Sequence, residues 1–210
     1  MTAERSEAER SASDRRRIGQ LVAFAVAALA VTVVWIVAVA TGGSSGARPT
    51  GGSPSIYPAA SIPAPGERSL SRAAAKARCT LRAFPSYGSG QTGARVQYRT
   101  NPPTSGPSNA VPAADGIYDE PAGTSKLVRA LARGRVVFQF APGAPPKVRG
   151  QLKTLVNEGP RHVILTANQT GMPYAFAATA WRHYLGCKTV NGSTFDALRD
   201  FRDAYRDQAG

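Results

Sequence analysis

The longest run of apolar side chains extends from Leu21 to Ala40, with Thr32 as its only polar residue. At about 1.5 Å per residue, a helix of this length spans roughly 30 Å, the hydrocarbon thickness of a bilayer. The pattern therefore predicts a transmembrane anchor over residues 18–41. A cleaved signal peptide is the alternative, because the small residues that end the run resemble a cleavage site.

Three consecutive arginines, at positions 15–17, precede the apolar run. Basic residues next to a membrane segment stay on the cytoplasmic side. The sequence therefore predicts a single-pass protein of the plasma membrane with a cytoplasmic tail over 1–17. Residues 42–66 are rich in Gly, Ser and Pro, which is typical of a linker. Residues 67–210 are then predicted as one extracytoplasmic domain.

Hydrophobic periodicity in the domain predicts three to four helices, a few strands and an α+β fold. The second helix has Thr124 or Ser125 as its predicted N-cap and Gly134 as its predicted end. The predicted helices cover residues 69–78, 124–133, 147–157 and 193–206. The predicted strands cover 95–98, 135–140, 162–167 and part of 174–184.

The chain is strongly basic, with 26 Lys and Arg residues against 13 Asp and Glu residues. Only five of the basic residues and four of the acidic residues lie within 1–41, so most of the excess positive charge lies beyond the anchor. A basic surface attracts polyanions. The predicted compartment disfavours nucleic acid and favours anionic lipid, cell-wall polymer or an acidic protein as partner.

Cys79 and Cys187 are the only cysteines. Thiols outside the cytoplasm tend to be oxidised, so the predicted compartment favours a disulfide between them. Two buried free thiols are the alternative.

Two motifs resemble one bacterial family. The first is a Pro-Pro-Thr-Ser-Gly-Pro string, which predicts a stiff structural turn. The second is Leu-Val-x-x-Leu-x-x-Gly-x-Val-Val over residues 127–137. Over residues 75–206 the chain resembles the family called domain of unknown function 3105, whose members are typically single-span and extracytoplasmic. The turn consists of Pro102, Pro103, Thr104, Ser105, Gly106 and Pro107.

The chain departs from that family at its histidine and glutamate positions. The resemblance implies a His after the turn, where Ser108 stands, and a His-x-x-Glu-His helix, where Arg129, Ala132 and Arg133 stand. Histidines four residues apart on a helix, with one more from a loop, would suit a metal ion. Arginine has no lone pair to give a metal. This chain is therefore predicted to hold neither a metal nor a cofactor.

The second helix is basic instead. Lys126, Arg129 and Arg133 have the spacing of one helix side, and Arg135 follows. A solvated helix face is one interpretation of this pattern. The other is a site for an anion or an acidic partner, which guanidinium groups would hold by forked hydrogen bonds.

No residue pattern indicates catalysis. His162 and His183 have no acid or cysteine arranged beside them, and Ser105 lacks a nucleophile-elbow motif. The sequence therefore predicts a non-enzymatic binding or scaffold module at the cell envelope. A metal-binding or enzymatic domain derived from the family's His-rich form is the alternative.

Overall fold

The computed structural model describes residues 55–210 of the chain. The predicted tail over 1–17, the predicted anchor over 18–41 and the first part of the predicted linker lie outside the described residues. Within 55–210, no helix combines the length and the apolar character that crossing a bilayer requires.

The described residues form four helices and six strands, which is the predicted α+β class. The helices are α1 (Leu70–Ala77), α2 (Thr124–Leu131), α3 (Pro146–Asn157) and α4 (Gly192–Tyr205). The strands are β1 (Thr80–Ala83), β2 (Gly116–Ile117), β3 (Val136–Phe140), β4 (Val163–Ala167), β5 (Phe176–Ala180) and β6 (His183–Cys187).

The strands form one mixed sheet in the order β1-β6-β5-β3-β4-β2. Strands β2 and β3 both pair in parallel with β4, whereas β5 pairs antiparallel with β3 and β6. Adjacent parallel strands need a long crossover, which α3 provides between β3 and β4. The carboxyl ends of β2, β3 and β4 therefore meet at one edge of the sheet.

The central strands divide their side chains between two hydrophobic cores. Val136, Phe138 and Phe140 of β3 belong to the core that α1, α3 and α4 cover, here called the three-helix face. Val137 belongs to a second core with α2 and with Tyr98 of the loop over 84–115, here called the α2 face. All of β3 is buried, as expected for a strand covered on both sides.

Helix α2 begins differently from the prediction. Its N-cap is Gly123, and neither predicted hydroxyl caps it. Ser125 Oγ instead accepts a hydrogen bond from the backbone N–H of Asn109 at 2.7 Å. The cap prediction was wrong because the hydroxyl makes a tertiary contact that ties the loop to the helix.

Helix α2 also ends earlier than predicted, at Leu131. Gly134, with a φ of 75°, redirects the chain, and the Arg135 N–H donates to the carbonyl of Ala130 at 3.1 Å. Gly134 therefore accompanies the helix end, as predicted, but Arg133 lies in the turn rather than on the helix.

The predicted strand over 95–98 pairs with no strand of the described sheet. Its exposure alternates as the sequence indicates, with Val96 and Tyr98 half-buried. The Tyr98 hydroxyl donates to the carbonyl of Pro107 at 3.0 Å. The prediction was wrong because the segment packs within its own loop.

Residues 55–66, here called the strap, pack on the three-helix face. The buried Tyr57 ring lies in its core, and its hydroxyl donates to the carbonyl of Tyr118 at 2.7 Å. Burial, and then the nearby Asp119 carboxylate, raises the pKa of Tyr57 to about 12. The predicted linker over 42–66 therefore includes residues that pack on the domain. A composition rich in Gly, Ser and Pro does not show that the single aromatic residue Tyr57 is buried.

The strap lies directly on α3. Arg149 Nε and Thr154 Oγ1 donate to strap carbonyls at 2.7 and 2.6 Å. A Cβ at Gly150 would overlap the carbonyl oxygen of Pro58. The glycine in the middle of this helix thus permits a close approach of the strap backbone.

A disulfide joins Cys79, which follows α1, to Cys187 at the end of β6, with Cα atoms 4.4 Å apart. The predicted disulfide is therefore present in the structure, and the alternative of two free thiols does not hold. The bridge connects the residues between α1 and β1 to β6, the last strand along the chain.

Candidate functional site

A cleft of about 520 Å³ opens on the α2 face beside the carboxyl end of β4. It lies between the loop over 94–103, the first turn of α2 and the residues that follow β4. Its described lining contains no Asp, Glu, His or Cys. The lining residues with polar side chains are Arg95, Tyr98, Thr100, Asn101, Thr124, Ser125, Gln169 and Thr170.

A polar network supports one wall of this cleft. Thr170 Oγ1 donates to Asn101 Oδ1 at 2.6 Å and accepts from the Asn168 amide at 3.0 Å. The same amide donates to Gln139 Oε1 at 2.7 Å, and Gln139 contacts Thr179 Oγ1 at 3.4 Å. Asn168, Gln139 and Thr179 are buried. A buried, connected network of this kind holds the wall in one arrangement.

The family turn supports the other wall. Residues 102–106 are buried, while Pro107 is exposed. The Thr104 N–H donates to Thr100 Oγ1 at 3.0 Å, and Ser105 Oγ accepts from the Tyr87 N–H at 3.0 Å. The turn is thus held by side chain to backbone hydrogen bonds and positions the residues that line the cleft.

Arg129 lies under the loop rather than on the surface, with 8% of its area exposed. Its Nε donates to the carbonyl of Asn109 at 2.7 Å, and its Nη1 donates to the carbonyl of Ser89 at 3.3 Å. Its Nη2 is buried without a hydrogen-bond partner among residues 55–210. This burial contradicts the solvated-face interpretation at Arg129, whereas a role in binding an anion or an acidic partner stays a prediction.

Ser108 is fully buried close to the same loop segments. Its backbone N–H donates to the carbonyl of Gly90, and its carbonyl accepts from the Thr92 N–H, both at 2.9 Å. Its Oγ has no hydrogen-bond partner in the described part of the chain. Segments 89–92 and 108–109 therefore hold both Ser108 and Arg129.

The other residues of the predicted basic site lie apart. Lys126 and Arg133 are exposed, whereas Arg135 forms an ion pair with Asp115 at 3.1 Å. Ala132 is half-buried, and its carbonyl accepts from the Gly210 N–H at 3.1 Å. The prediction of one basic helix side was wrong, because α2 ends before Arg133 and because Arg129 points into the protein.

No group of three or more His, Cys, Asp or Glu side chains within 55–210 is arranged to hold a metal ion. His162 contacts the Asp207 carboxylate, and the His183 ring stacks on Tyr205 at 4.2 Å between centroids.

Sequence reasoning missed the polar network. Gln139 is the one polar residue in an otherwise apolar strand run, and it signals a buried hydrogen-bonding site. Asn168 and Thr170 follow β4, which ends at Ala167. Their position directly after a parallel strand was the available signal, since such ends form binding crevices.

Comparisons with known proteins identify one family. No curated protein and no solved structure matches the chain. The family described as "Protein of unknown function (DUF3105)" matches residues 90–209, which include the turn, α2 and the sheet from β2 onward. Because this match covers more than half of the sequence, the chain belongs to that family, as its two motifs predicted.

Proposed function

We propose that this protein is a membrane-anchored, extracytoplasmic binding module that holds a small anionic group in the cleft on its α2 face. The observation that carries the proposal is the chemistry of the cleft wall. It combines hydroxyls, amides and one exposed guanidinium, that of Arg95, and a buried network holds Asn101 and Thr170 in place.

The wall favours binding over acid–base catalysis. Proton transfer needs a group that changes its charge near the working pH. A guanidinium such as that of Arg95 offers hydrogen-bond donors and no acceptor, and the hydroxyl of Tyr98 donates to the carbonyl of Pro107. The wall therefore supplies hydrogen bonds and positive charge.

A carboxylate or phosphate group fits this wall. Arg95 is exposed at the cleft and makes no ion pair among residues 55–210. The first turn of α2, at Thr124 and Ser125, adds the positive end of a helix dipole. A cell-wall polymer bearing phosphate or carboxylate is the partner we propose first. Anionic lipid head groups and an acidic protein are the other candidates, and the compartment disfavours nucleic acid.

The proposed location rests on the sequence. The apolar run over 21–40 has the length of a bilayer span, and the arginines at 15–17 favour a cytoplasmic N-terminus. Protease added to intact cells should degrade the domain and spare a short N-terminal fragment. A domain that resists protease until the cells are lysed would contradict this topology.

The binding experiment compares matched charge deletions. The full-length chain, purified in a nonionic detergent, is sedimented with isolated cell-wall material. The Arg95→Ala variant should lose most of its retention, because the guanidinium provides the charge contact. The Arg82→Ala variant removes an exposed arginine outside the cleft lining and should sediment like the wild type.

Equal retention of the two variants would contradict the cleft as the binding site. A parallel experiment with vesicles that contain an anionic phospholipid distinguishes the two sources of negative charge. The partner is lipid rather than wall polymer if the vesicles retain the wild type, the Arg95→Ala variant loses this retention, and the cell-wall material retains neither.

No observation on the described residues favours the metal-binding or enzymatic alternative.

A further inference from the structure

We propose that Arg129 and Ser108 form a buried site for a small inorganic anion, separate from the cleft and beneath the loop over 84–115. The site would take chloride or a similar monovalent ion. Anion binding at this site does not require a ligand in the cleft.

The first observation is an incompletely paired buried cation. Arg129 is 92% removed from solvent, since its relative exposure is 8%. No Asp or Glu of residues 55–210 forms an ion pair with it. Its two protein contacts are the carbonyls of Asn109 and Ser89, which leave Nη2 without an acceptor.

The second observation is a buried hydroxyl. Ser108 has no exposed area, and its Oγ has no hydrogen-bond partner in the described residues. Its backbone is fixed by bonds to Gly90 and Thr92, one residue along the loop from the Ser89 carbonyl that Arg129 contacts. Two unpartnered donors are thus confined by the same pair of loop segments.

The electrostatics select an anion. A buried charge is tolerated when it is paired and when its hydrogen-bond donors are satisfied. A water molecule would accept from Nη2 but would leave the charge unpaired. A cation would be repelled. A monovalent anion accepts hydrogen bonds from both Nη2 and Oγ and neutralises the guanidinium.

The site connects to the cleft through a single residue. Asn109 accepts from Arg129 at its carbonyl and donates from its N–H to Ser125 Oγ, which lines the cleft. An ion that fixes the Arg129 side chain therefore also restricts the motion of Asn109 and of Ser125. This connection gives the anion a structural role beneath the proposed binding surface.

The first test measures thermal unfolding of the full-length chain in detergent at constant ionic strength, with chloride replacing gluconate. If the ion binds the folded state alone, the wild-type midpoint should rise by about 2–6 °C as chloride becomes saturating. Arg129→Met should abolish that rise. Arg133→Met makes the same change at an exposed neighbouring arginine and should retain it.

A rise of equal size in wild type and in Arg129→Met would overturn the proposal, and so would the absence of a rise in wild type. Because Arg129→Met removes two protein hydrogen bonds, it could fail to fold. Ser108→Ala then replaces it, since this change deletes only the hydroxyl. It should reduce the chloride response at least several-fold, and an unchanged response would count against the site.

Discussion

Two buried arginines, on opposite faces of the sheet, are compensated in different ways. Arg199 of α4 is 6% exposed, and both oxygens of Glu158 accept from it at 2.7 Å. Asp196 adds a contact at 3.4 Å, and the hydrogen bond to Glu158 is the main reason that the pKa of Arg199 is raised. Arg129, on the α2 face, is about equally buried but has only two carbonyl partners.

The difference distinguishes a structural arginine from a candidate binding residue. On the three-helix face the chain supplies the carboxylates itself, so the charge is satisfied without a ligand. At Arg129 the chain supplies two carbonyl acceptors, and no Asp or Glu of the described residues forms an ion pair with it. The proposed cleft site and the proposed anion site therefore both lie on the α2 face, whereas the buried Arg199 of the three-helix face is paired by the chain itself.

The disulfide on the three-helix face has the largest expected effect. A variant with Cys79→Ala and Cys187→Ala should lose about 4 kcal/mol of unfolding free energy in urea, because the bridge closes a long loop in the unfolded chain. If the two faces are independent, the chloride response should survive in this variant. A loss below about 1 kcal/mol would contradict the chain-entropy explanation.

Arg199→Met should have the next largest effect. It leaves the carboxylates of Glu158 and Asp196 without their partner and should lower the unfolding free energy by about 2–3 kcal/mol, since Glu158 retains some solvent. Urea unfolding in gluconate gives the value. Arg129→Met in the same buffer should cost less, because it leaves no carboxylate behind. A larger loss for Arg129→Met would contradict the proposed difference between the two arginines.

Gly150→Ala tests the strap. The helix propensity of alanine is about 1 kcal/mol more favourable than that of glycine. The added Cβ, however, would overlap the carbonyl of Pro58. We expect a net loss of roughly 2 kcal/mol, because overpacking against backbone outweighs propensity. Gly192→Ala is the control, since its Cβ would meet nothing within 4 Å, and it should be neutral or slightly stabilising. Equal effects in urea would argue against a packed strap.

The smallest effect concerns the C-terminal Asp207. The hydrogen bond from Arg161, followed by that from His162, lowers its pKa to about 2. A lowered folded-state pKa contributes stability above the unfolded value of about 3.8, and this contribution disappears as the pH falls through about 2. The melting temperatures of wild type and Asp207→Asn should therefore differ slightly at pH 7 and converge near pH 2. A difference that persists at pH 2 would contradict the ion pair.

The sequence predicts the regular elements well where hydrophobic pattern and packing agree. The runs over 135–140 and 162–167 form adjacent buried strands, and α3 and α4 lie close to their predicted bounds. The prediction fails where tertiary contacts decide the outcome. Ser125 bonds to the loop instead of capping its helix, and Tyr57 secures a segment whose composition is that of a linker.

The candidate site was less predictable for the same reason. Residues spaced i, i+3 and i+7 share one side of a helix only if the helix includes all of them. Helix α2 ends at Leu131, before Arg133. Nothing in the local sequence shows that Arg129 lies beneath the loop. The family motifs correctly located the turn and α2, but the cleft also needs residues from beyond β4, which only the fold brings near.

The most direct test of the difference between the two faces is a crystal of the full-length protein grown in bromide. Its anomalous difference map would show where a heavy halide binds. We predict a peak in contact with Arg129 Nη2 and Ser108 Oγ, and none beside Arg199. A water molecule bridging those two atoms, or a halide at Arg199 with none at Arg129, would contradict it.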